Sequence, residues 1–160
     1  MKKIIVLCLT VILLAACLSG CGGEKALSGK EFQKIMEENG YVLPPVEQSF
    51  LDVLCEESYA YLKDEKERFY VYYRFSNEKK ASRMMPMLQE YVKHYVDPES
   101  ASFPEERTFP HEEYFSQKIA WGKAYFTRIN NVVVFTGAPD ANMEECERLL
   151  KEMGMLYEES

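Results

Sequence analysis

The chain is 160 residues long and carries 26 acidic against 19 basic side chains, which gives a formal net charge of −7. A surface with this balance repels phosphate backbones, and this argues against a nucleic-acid partner. The length allows one domain of ordinary size behind a distinct N-terminal segment, but not two.

The first residues have the layout of an export signal. Lys2 and Lys3 give a short cationic start, and residues 4–16 form an apolar run without formal charge. That run is shorter than the ~20 residues that a membrane span needs, but it suits the hydrophobic region of a secretory signal. Its removal together with the two lysines would leave 17 basic and 26 acidic residues, a net charge of −9.

Two cysteines follow the apolar run in the pattern of a bacterial lipobox, in which an aliphatic residue and two small residues precede a cysteine. The matching segments are LAAC at 14–17 and LSGC at 18–21. Small flanking residues leave room for a lipid joined to the cysteine sulfur. We expect Cys21 to be lipidated and keep Cys17 as the alternative, because a glycine pair that suits a flexible tether follows Cys21.

These observations predict a signal peptide at 1–20, a lipidated tether at 21–27 and a single domain at 28–157. They predict a lipoprotein that is attached to the cell membrane by its lipid and faces away from the cytoplasm, since two acyl chains give stable attachment. In that compartment Cys55 and Cys146 could form a disulfide. The alternative is that both are small apolar residues of the fold, because their spacing matches no disulfide framework.

A helix is predicted at the start of the domain. Ser28 as N-cap and Glu31 three residues later form a capping box. An apolar stripe with Phe32 and Met36 follows, and Gly40 lies where such a helix ends.

A hairpin and a second helix come next. The aromatic-rich segments 56–63 and 68–75 flank a polar tip, which is typical of a β-hairpin. Apolar residues then recur at helical spacing between residues 81 and 95. We expect Pro86 to kink or divide this helix, because proline lacks the backbone donor and crowds the preceding turn.

The second half of the domain repeats this order. Residues 97–116 are acidic and proline-bearing, and we expect a long loop there. A second hairpin is predicted from 118–129 and 132–137, followed by a last helix at 143–153. The order predicts an α+β fold, a two-layer sandwich of about four antiparallel strands with three helices on one face of the sheet.

This layout resembles that of small, uncharacterised surface lipoproteins of Gram-positive gut bacteria. The matching segments are 32–41, 120–136 and 149–154. The resemblance covers most of the domain and implies its α+β layout. It implies no site residues, because the group has no established activity. The proline-bearing loop and Pro86 depart from the pattern.

Strand alternation predicts an aromatic surface. If Leu62 and Val71 face the helices, the other face of the sheet is open and collects aromatic and cationic side chains. Open aromatic surfaces mark interaction sites, and tyrosine and tryptophan suit glycans or peptides. The alternative is that the tyrosines are good strand residues without a binding role, or that the acidic loop covers them. The predicted ligand-binding residues are Tyr59, Tyr61, Tyr70, Tyr72, Arg74, Trp121, Lys123 and Tyr125.

No catalytic residue, metal ligand or cofactor is predicted. His94 and His111 are the two histidines of the chain, and no zinc-site spacing, nucleophile elbow or phosphate loop occurs. We therefore expect a non-catalytic binding or accessory module with a glycan, a peptide or a membrane protein as partner. The alternative is a small surface hydrolase acting on cell-wall or peptide material, which a buried cluster of His111 with carboxylates or with Cys55 would favour.

Overall fold

The structure is a computed structural model and describes residues 26–44, 54–64, 68–96 and 103–156. Within these residues the chain forms three α-helices and one antiparallel sheet, so the α+β class is confirmed. The elements are, in chain order, α1 Gly29–Glu38, β1 Glu57–Lys63, β2 Arg68–Arg74, α2 Glu78–Lys93, β3 Glu105–Phe109, β4 Glu112–Ile119, β5 Gly122–Ile129, β6 Val132–Ala138, a 3₁₀ turn Asp140–Asn142 and α3 Met143–Glu152.

The predicted signal peptide and both candidate lipidation residues, Cys17 and Cys21, lie outside the described residues. In the ranges that are described, no helix combines the length and the apolar character that a membrane span requires. Near the start of the described chain, the Leu27 carbonyl accepts a hydrogen bond from the Tyr72 hydroxyl at 3.0 Å. The chain is therefore fixed to the sheet immediately before α1 begins.

The sheet has six strands in the order β1-β2-β6-β5-β4-β3, and each neighbouring pair is antiparallel. The prediction of about four strands was therefore wrong. The additional strands come from the segment 97–116 that was expected to be a loop, since β3 and most of β4 lie there. Strand β3 is exposed along its whole length at the edge of the sheet. Edge strands are commonly charged, so β3 lacks the apolar alternation by which strands are recognised.

The predicted strand 118–129 is in fact the end of β4, a tight turn at Ala120 and Trp121, and β5. Gly122 marks this turn. A Cβ atom at that position would lie 2.0 Å from the carbonyl oxygen of Ala138, so only glycine allows the neighbouring backbone to approach. A glycine inside an apparent strand is typical of such a close backbone approach.

Helices α1 and α3 pack on one face of the sheet, which we name the tyrosine face after Tyr61, Tyr70, Tyr72 and Tyr125. The capping box that begins α1 is present as predicted, with the side chains of Ser28 and Glu31 each accepting from the backbone of the other. The residues that α1 and α3 bury against the sheet are Phe32, Met36, Cys146, Leu149 and Leu150.

Helix α2 packs on the opposite face, so the prediction that all three helices share one face was wrong. Its buried residues Met84, Met85 and Leu88 belong to a second core cluster with Phe126 and Val133 of the sheet. Both faces of the central strands carry apolar side chains, and each face therefore needs its own cover. The helix begins after Asn77, whose side chain accepts from the Lys80 backbone, and it continues through Pro86 without division.

An ion-pair cluster joins the start of α2 to the sheet. Arg128 is 2% exposed, and its guanidinium donates to the carboxylates of Glu113 at 2.7 Å and Glu78 at 3.2 Å. The same guanidinium donates to the backbone carbonyls of His111 and Asn130, each at 3.0 Å. A buried charge is tolerated only when it is paired and hydrogen-bonded in this way. Arg128 therefore fixes α2 over β4 and β5.

The disulfide that was considered between Cys55 and Cys146 is not formed. Neither cysteine is in a disulfide, and Cys146 is buried in the cluster on the tyrosine face while Cys55 packs against the cluster on the opposite face. The sheet thus separates the two sulfurs. The alternative, in which each cysteine is a small apolar residue of the fold, describes the observed environments.

Candidate functional site

The tyrosines predicted to form an open face are covered by helices. Tyr61, Tyr70, Tyr72 and Tyr125 are buried, and Tyr59 is half-buried beside them. The prediction that this face is open was therefore wrong. The two-residue repeat of the strands correctly predicted that these side chains share a face. However, α1 and α3 cover this tyrosine face and not the face of Leu62 and Val71.

Aromatic contacts explain why α1 binds this face. The ring of Phe32 stacks on Tyr72 at a centroid distance of 5.2 Å and meets the edge of Tyr61 at 5.8 Å. The hydroxyls remain satisfied, because Tyr70 donates to the Cys146 carbonyl at 3.1 Å and Tyr61 donates to Glu37 at 3.1 Å. Tyrosine can be buried at low cost when its hydroxyl finds a partner in this way.

Arg74 lies at the rim of the covered region. Its guanidinium donates to Glu57 at 2.7 Å and to Glu56 at 2.8 Å, so it is held by two carboxylates of the neighbouring strand end. The Arg74 guanidinium also holds the pKa of the Glu57 carboxyl below its usual range. These ion pairs give Arg74 a structural role within the described fold.

Trp121 lies on the opposite face of the sheet from the tyrosines with which it was grouped. Its ring is 6.2 Å from that of Phe69, and a Cβ atom on Gly137 would come within 3 Å of both rings. Gly137 therefore makes the space that the two rings occupy. Partly exposed rings continue this aromatic surface, which consists of Phe69, Tyr91, Tyr95, Trp121 and Phe135.

Lys123 lies in a groove at the end of the tyrosine face that α1 and α3 leave uncovered. The groove has a volume of about 1270 Å³. Strands β3, β4 and β5 form its floor, and α3 with the chain that follows it forms one wall. The lining residues that carry its chemistry are Glu105, Arg107, Phe109, Glu112, Tyr114, Lys123, Thr127, Ile129, Glu147, Lys151 and Met155.

Two cations of the groove lie over tyrosine rings. The Lys123 Nζ atom is 4.9 Å from the ring centre of Tyr125, and the Arg107 guanidinium carbon is 5.9 Å from that of Tyr114. Such contacts favour a cation at a fixed position over the ring face. Carboxylates are close as well, since the Tyr125 hydroxyl donates to Glu147 at 2.7 Å.

Thr127 is the polar side chain of the groove that lacks a partner. It is 5% exposed, lines the groove, and its Oγ1 atom has no hydrogen-bond partner among the described residues. Thr136 gives a direct comparison on the same face of the sheet. It is fully buried, and its Oγ1 atom donates to the Phe69 carbonyl at 2.7 Å.

Sequence reasoning identified Lys123 but missed the other groove residues. Arg107 and Tyr114 were assigned to a loop, although Tyr114 pairs with Thr127 across β4 and β5. The signal that could have found Thr127 is its position two residues beyond Tyr125, because alternate residues of a strand share a face. Glu147 and Lys151 are four residues apart on α3 and therefore share a helix face.

The residues considered for catalysis do not form a buried cluster. His111 is exposed and contacts Glu78 at 3.1 Å, and His94 is exposed at the end of α2. Within the part of the chain that the structure describes, no group of three His, Cys, Asp or Glu residues is placed to hold a metal ion. The condition that would favour the surface hydrolase is therefore not met by His111.

Comparison with known proteins identified no relative of this chain. No protein-family model, curated protein or solved structure matches the chain.

The two threonines predict opposite effects of the same substitution. Thr127→Val should raise the free energy of unfolding of the full chain by about 1 kcal/mol, because it removes a buried hydroxyl without a partner. Thr136→Val should lower it by about 1 kcal/mol, because it leaves the Phe69 carbonyl without that donor. Urea unfolding followed by circular dichroism measures both changes. Equal losses of unfolding free energy from the two substitutions would contradict the conclusion that Thr127 lacks a hydrogen-bond partner and Thr136 has one.

Proposed function

We propose that this chain is a lipoprotein of the cell membrane, lipidated on Cys21 with Cys17 as the alternative, whose domain is a non-catalytic binding module outside the cytoplasm. The anchor is supported by the cationic start, the apolar run and the two lipobox segments of the sequence. The binding function is supported by the groove on the tyrosine face.

One observation carries the binding function, namely the buried hydroxyl without a partner on Thr127, a residue that lines the groove. A buried hydroxyl without a hydrogen-bond partner costs about 1–3 kcal/mol, and valine would fill nearly the same volume without that cost. A rotation of the Thr127 side chain toward the groove would let a polar group of a ligand supply the missing partner. The threonine is then explained by binding, whereas packing alone does not explain it.

The tether keeps the start of the domain close to the membrane. Six backbone steps separate Cys21 from Leu27, and a fully extended chain of that length spans about 20 Å at most. The net charge of −9 after signal removal keeps the domain away from anionic lipid headgroups and from nucleic acid. A glycan, a peptide or a segment of a membrane protein at the cell surface is the class of partner proposed.

Lipidation of Cys21 predicts the mass of the mature chain and its location in the membrane fraction. Intact mass spectrometry of the chain extracted from bacterial membranes should show a mature N-terminus at residue 21 with a diacylglyceryl group, and Cys21→Ser should release the chain from the membrane fraction. Cys17→Ser serves as the matched control and should leave it membrane-bound. A soluble wild-type chain without lipid would contradict the proposed lipidation. Release of the Cys17→Ser chain, with the Cys21→Ser chain still membrane-bound, would show that Cys17 is the lipidated residue.

The binding function predicts ligand-dependent stability. Two probes, a tryptic digest of serum albumin and the N-acetylglucosamine hexasaccharide, are added separately to the purified full chain. At about ten times its Kd, a ligand of the groove should raise the Tm by roughly 4 °C. Thr127→Val should lose most of that gain relative to its own unliganded Tm, and the exposed control Lys79→Gln should retain it. A Tm unmoved by both probes, or moved equally in all variants, would contradict groove binding.

A further inference from the structure

A second exposed surface lies on the face of the sheet that α2 covers. It is the aromatic surface of Phe69, Tyr91, Tyr95, Trp121 and Phe135. Trp121, Tyr91 and Tyr95 are 41%, 50% and 45% exposed, whereas Phe69 and Phe135 are half-buried. The Ala120 N–H donates to the Tyr95 carbonyl at 3.0 Å, which fixes the chain after α2 to the turn that carries Trp121. Contiguous exposed rings of this kind mark interaction sites, whereas single exposed apolar residues are ordinary.

The rings form the floor and walls of a slot. Trp121 contacts Phe69 at a centroid distance of 6.2 Å, and Tyr91 contacts Phe135 at 6.5 Å. Phe69 and Phe135 contact each other at 4.8 Å, whereas no ring contact among the described residues joins Trp121 to Tyr91. The planes of these contacting pairs are inclined by 55°, 85° and 74°. Rings at such angles hold a compact apolar group from two sides and offer no broad plane for stacking.

The polar tips of the rings offer hydrogen-bond donors. The Trp121 indole nitrogen is a donor only. The Tyr91 and Tyr95 hydroxyls bond each other at 3.0 Å, so one hydrogen of that pair remains for a ligand. A proline-rich segment suits these donors, because proline has no N–H and its segment presents carbonyl acceptors in excess. Such segments adopt the preformed polyproline II helix, and aromatic-lined sites bind them.

The charge of the chain favours a cationic segment. The net charge is −7, and within the described part of the chain no lysine or arginine lies over a ring of the aromatic surface. The cation–ring contacts that occur there belong to the tyrosine face. Glu90 and Lys93, which flank Tyr91 on α2, are paired with each other at 2.7 Å. A basic side chain of a partner is therefore attracted by the acidic chain and by the exposed rings.

We propose that the aromatic surface binds a proline-rich segment of a partner protein that carries lysine or arginine. A proline of the segment lies between Trp121 and Tyr91 and rests on Phe69 and Phe135. The Trp121 indole donates to a carbonyl of the segment, and a basic side chain lies over the ring of Tyr95. This site is on the opposite face of the sheet from the groove, and it depends neither on the groove nor on lipidation.

The test uses the full chain in a nonionic detergent without aromatic groups, and Trp121 is its reporter because the sequence has no other tryptophan. Three peptides with blocked termini are titrated: decaproline flanked by lysines, decaproline flanked by glutamates, and a glycine–serine chain flanked by lysines. The lysine-flanked decaproline should shift the Trp121 emission to shorter wavelength, because it removes water from the indole. Each of the other two peptides should bind at least roughly ten-fold more weakly.

Matched variants locate the peptide on the aromatic surface. Tyr91→Leu keeps an apolar contact with Phe135 and removes one wall of the slot, so it should weaken the lysine-flanked decaproline roughly ten-fold. Tyr95→Leu should reduce the preference for lysine flanks over glutamate flanks. Phe103→Ala is the control, because Phe103 is 92% exposed and has no ring contact with the aromatic surface among the described residues. It should leave the affinity unchanged.

The contrary results separate the site from its ligand class. An emission spectrum unmoved by every peptide at millimolar concentration, or equal losses of affinity from Tyr91→Leu and Phe103→Ala, would overturn the site. Equal binding of the glycine–serine peptide would overturn the proline-rich class, and equal binding of the glutamate-flanked peptide would overturn the charge match. A shift with the N-acetylglucosamine hexasaccharide or with phosphatidylcholine vesicles, and none with the peptides, would overturn the peptide in favour of a glycan or a lipid surface.

Discussion

Packing of α1 and α3 on the tyrosine face is the interaction on which the rest of the structure depends. Phe32 of α1 lies between the rings of Tyr61 and Tyr72, and Tyr70 donates to the backbone of α3 through its hydroxyl. With this face occupied by two helices, the apolar side chains on the other side of β4, β5 and β6 need a different cover, and α2 supplies it. The sheet is therefore enclosed from both sides rather than from one.

The two covers are displaced from each other along the sheet. Helix α1 lies over β1 and β2 and α3 over β6, whereas α2 lies mainly over β4 and β5, where the Arg128 ion pairs fix it. Each face consequently has one uncovered end. On the tyrosine face this end is the groove with Lys123 and Thr127, and on the opposite face it is the aromatic surface with Trp121. The groove and the aromatic surface thus follow from where the helices stop.

Local signals in the sequence predicted the helices and hairpins well. The capping box of α1 is present, and the first hairpin is paired as period two suggests, with Tyr61 opposite Tyr70. Periodicity could not decide which face is covered, because β1 and β2 carry apolar residues at odd and even positions alike. Leu62 and Val71 are as suitable for a core as the tyrosines, and the contacts that hold helices on the tyrosine face, such as Phe32 with Tyr72, join residues far apart in the sequence.

The groove was less accessible to sequence reasoning for two physical reasons. Its outer floor comes from β3, whose exposed, charged residues have no buried side and give no strand pattern. Its defining feature, the Thr127 hydroxyl, becomes significant only when the surrounding fold leaves it without a donor or acceptor, and no local pattern records that. Lys123 was identified because strand alternation places it beside Tyr125, and that much depends on local geometry alone.

Alkaline titration of the tyrosines, followed by phenolate absorbance, tests the covered tyrosine face most directly. Burial raises the pKa of Tyr61 to about 12, and burial raises the pKa values of Tyr70 and Tyr72 well above their usual range. A raised phenol pKa stabilises the fold fully below the unfolded value of about 10, and that stability is lost as the pH rises above it. Of the 11 tyrosines, we expect a fraction to ionise near pH 10 and the covered ones to ionise only from about pH 12 upward or on unfolding. Ionisation of all of them together near pH 10 in a folded chain would contradict the helix-covered tyrosine face.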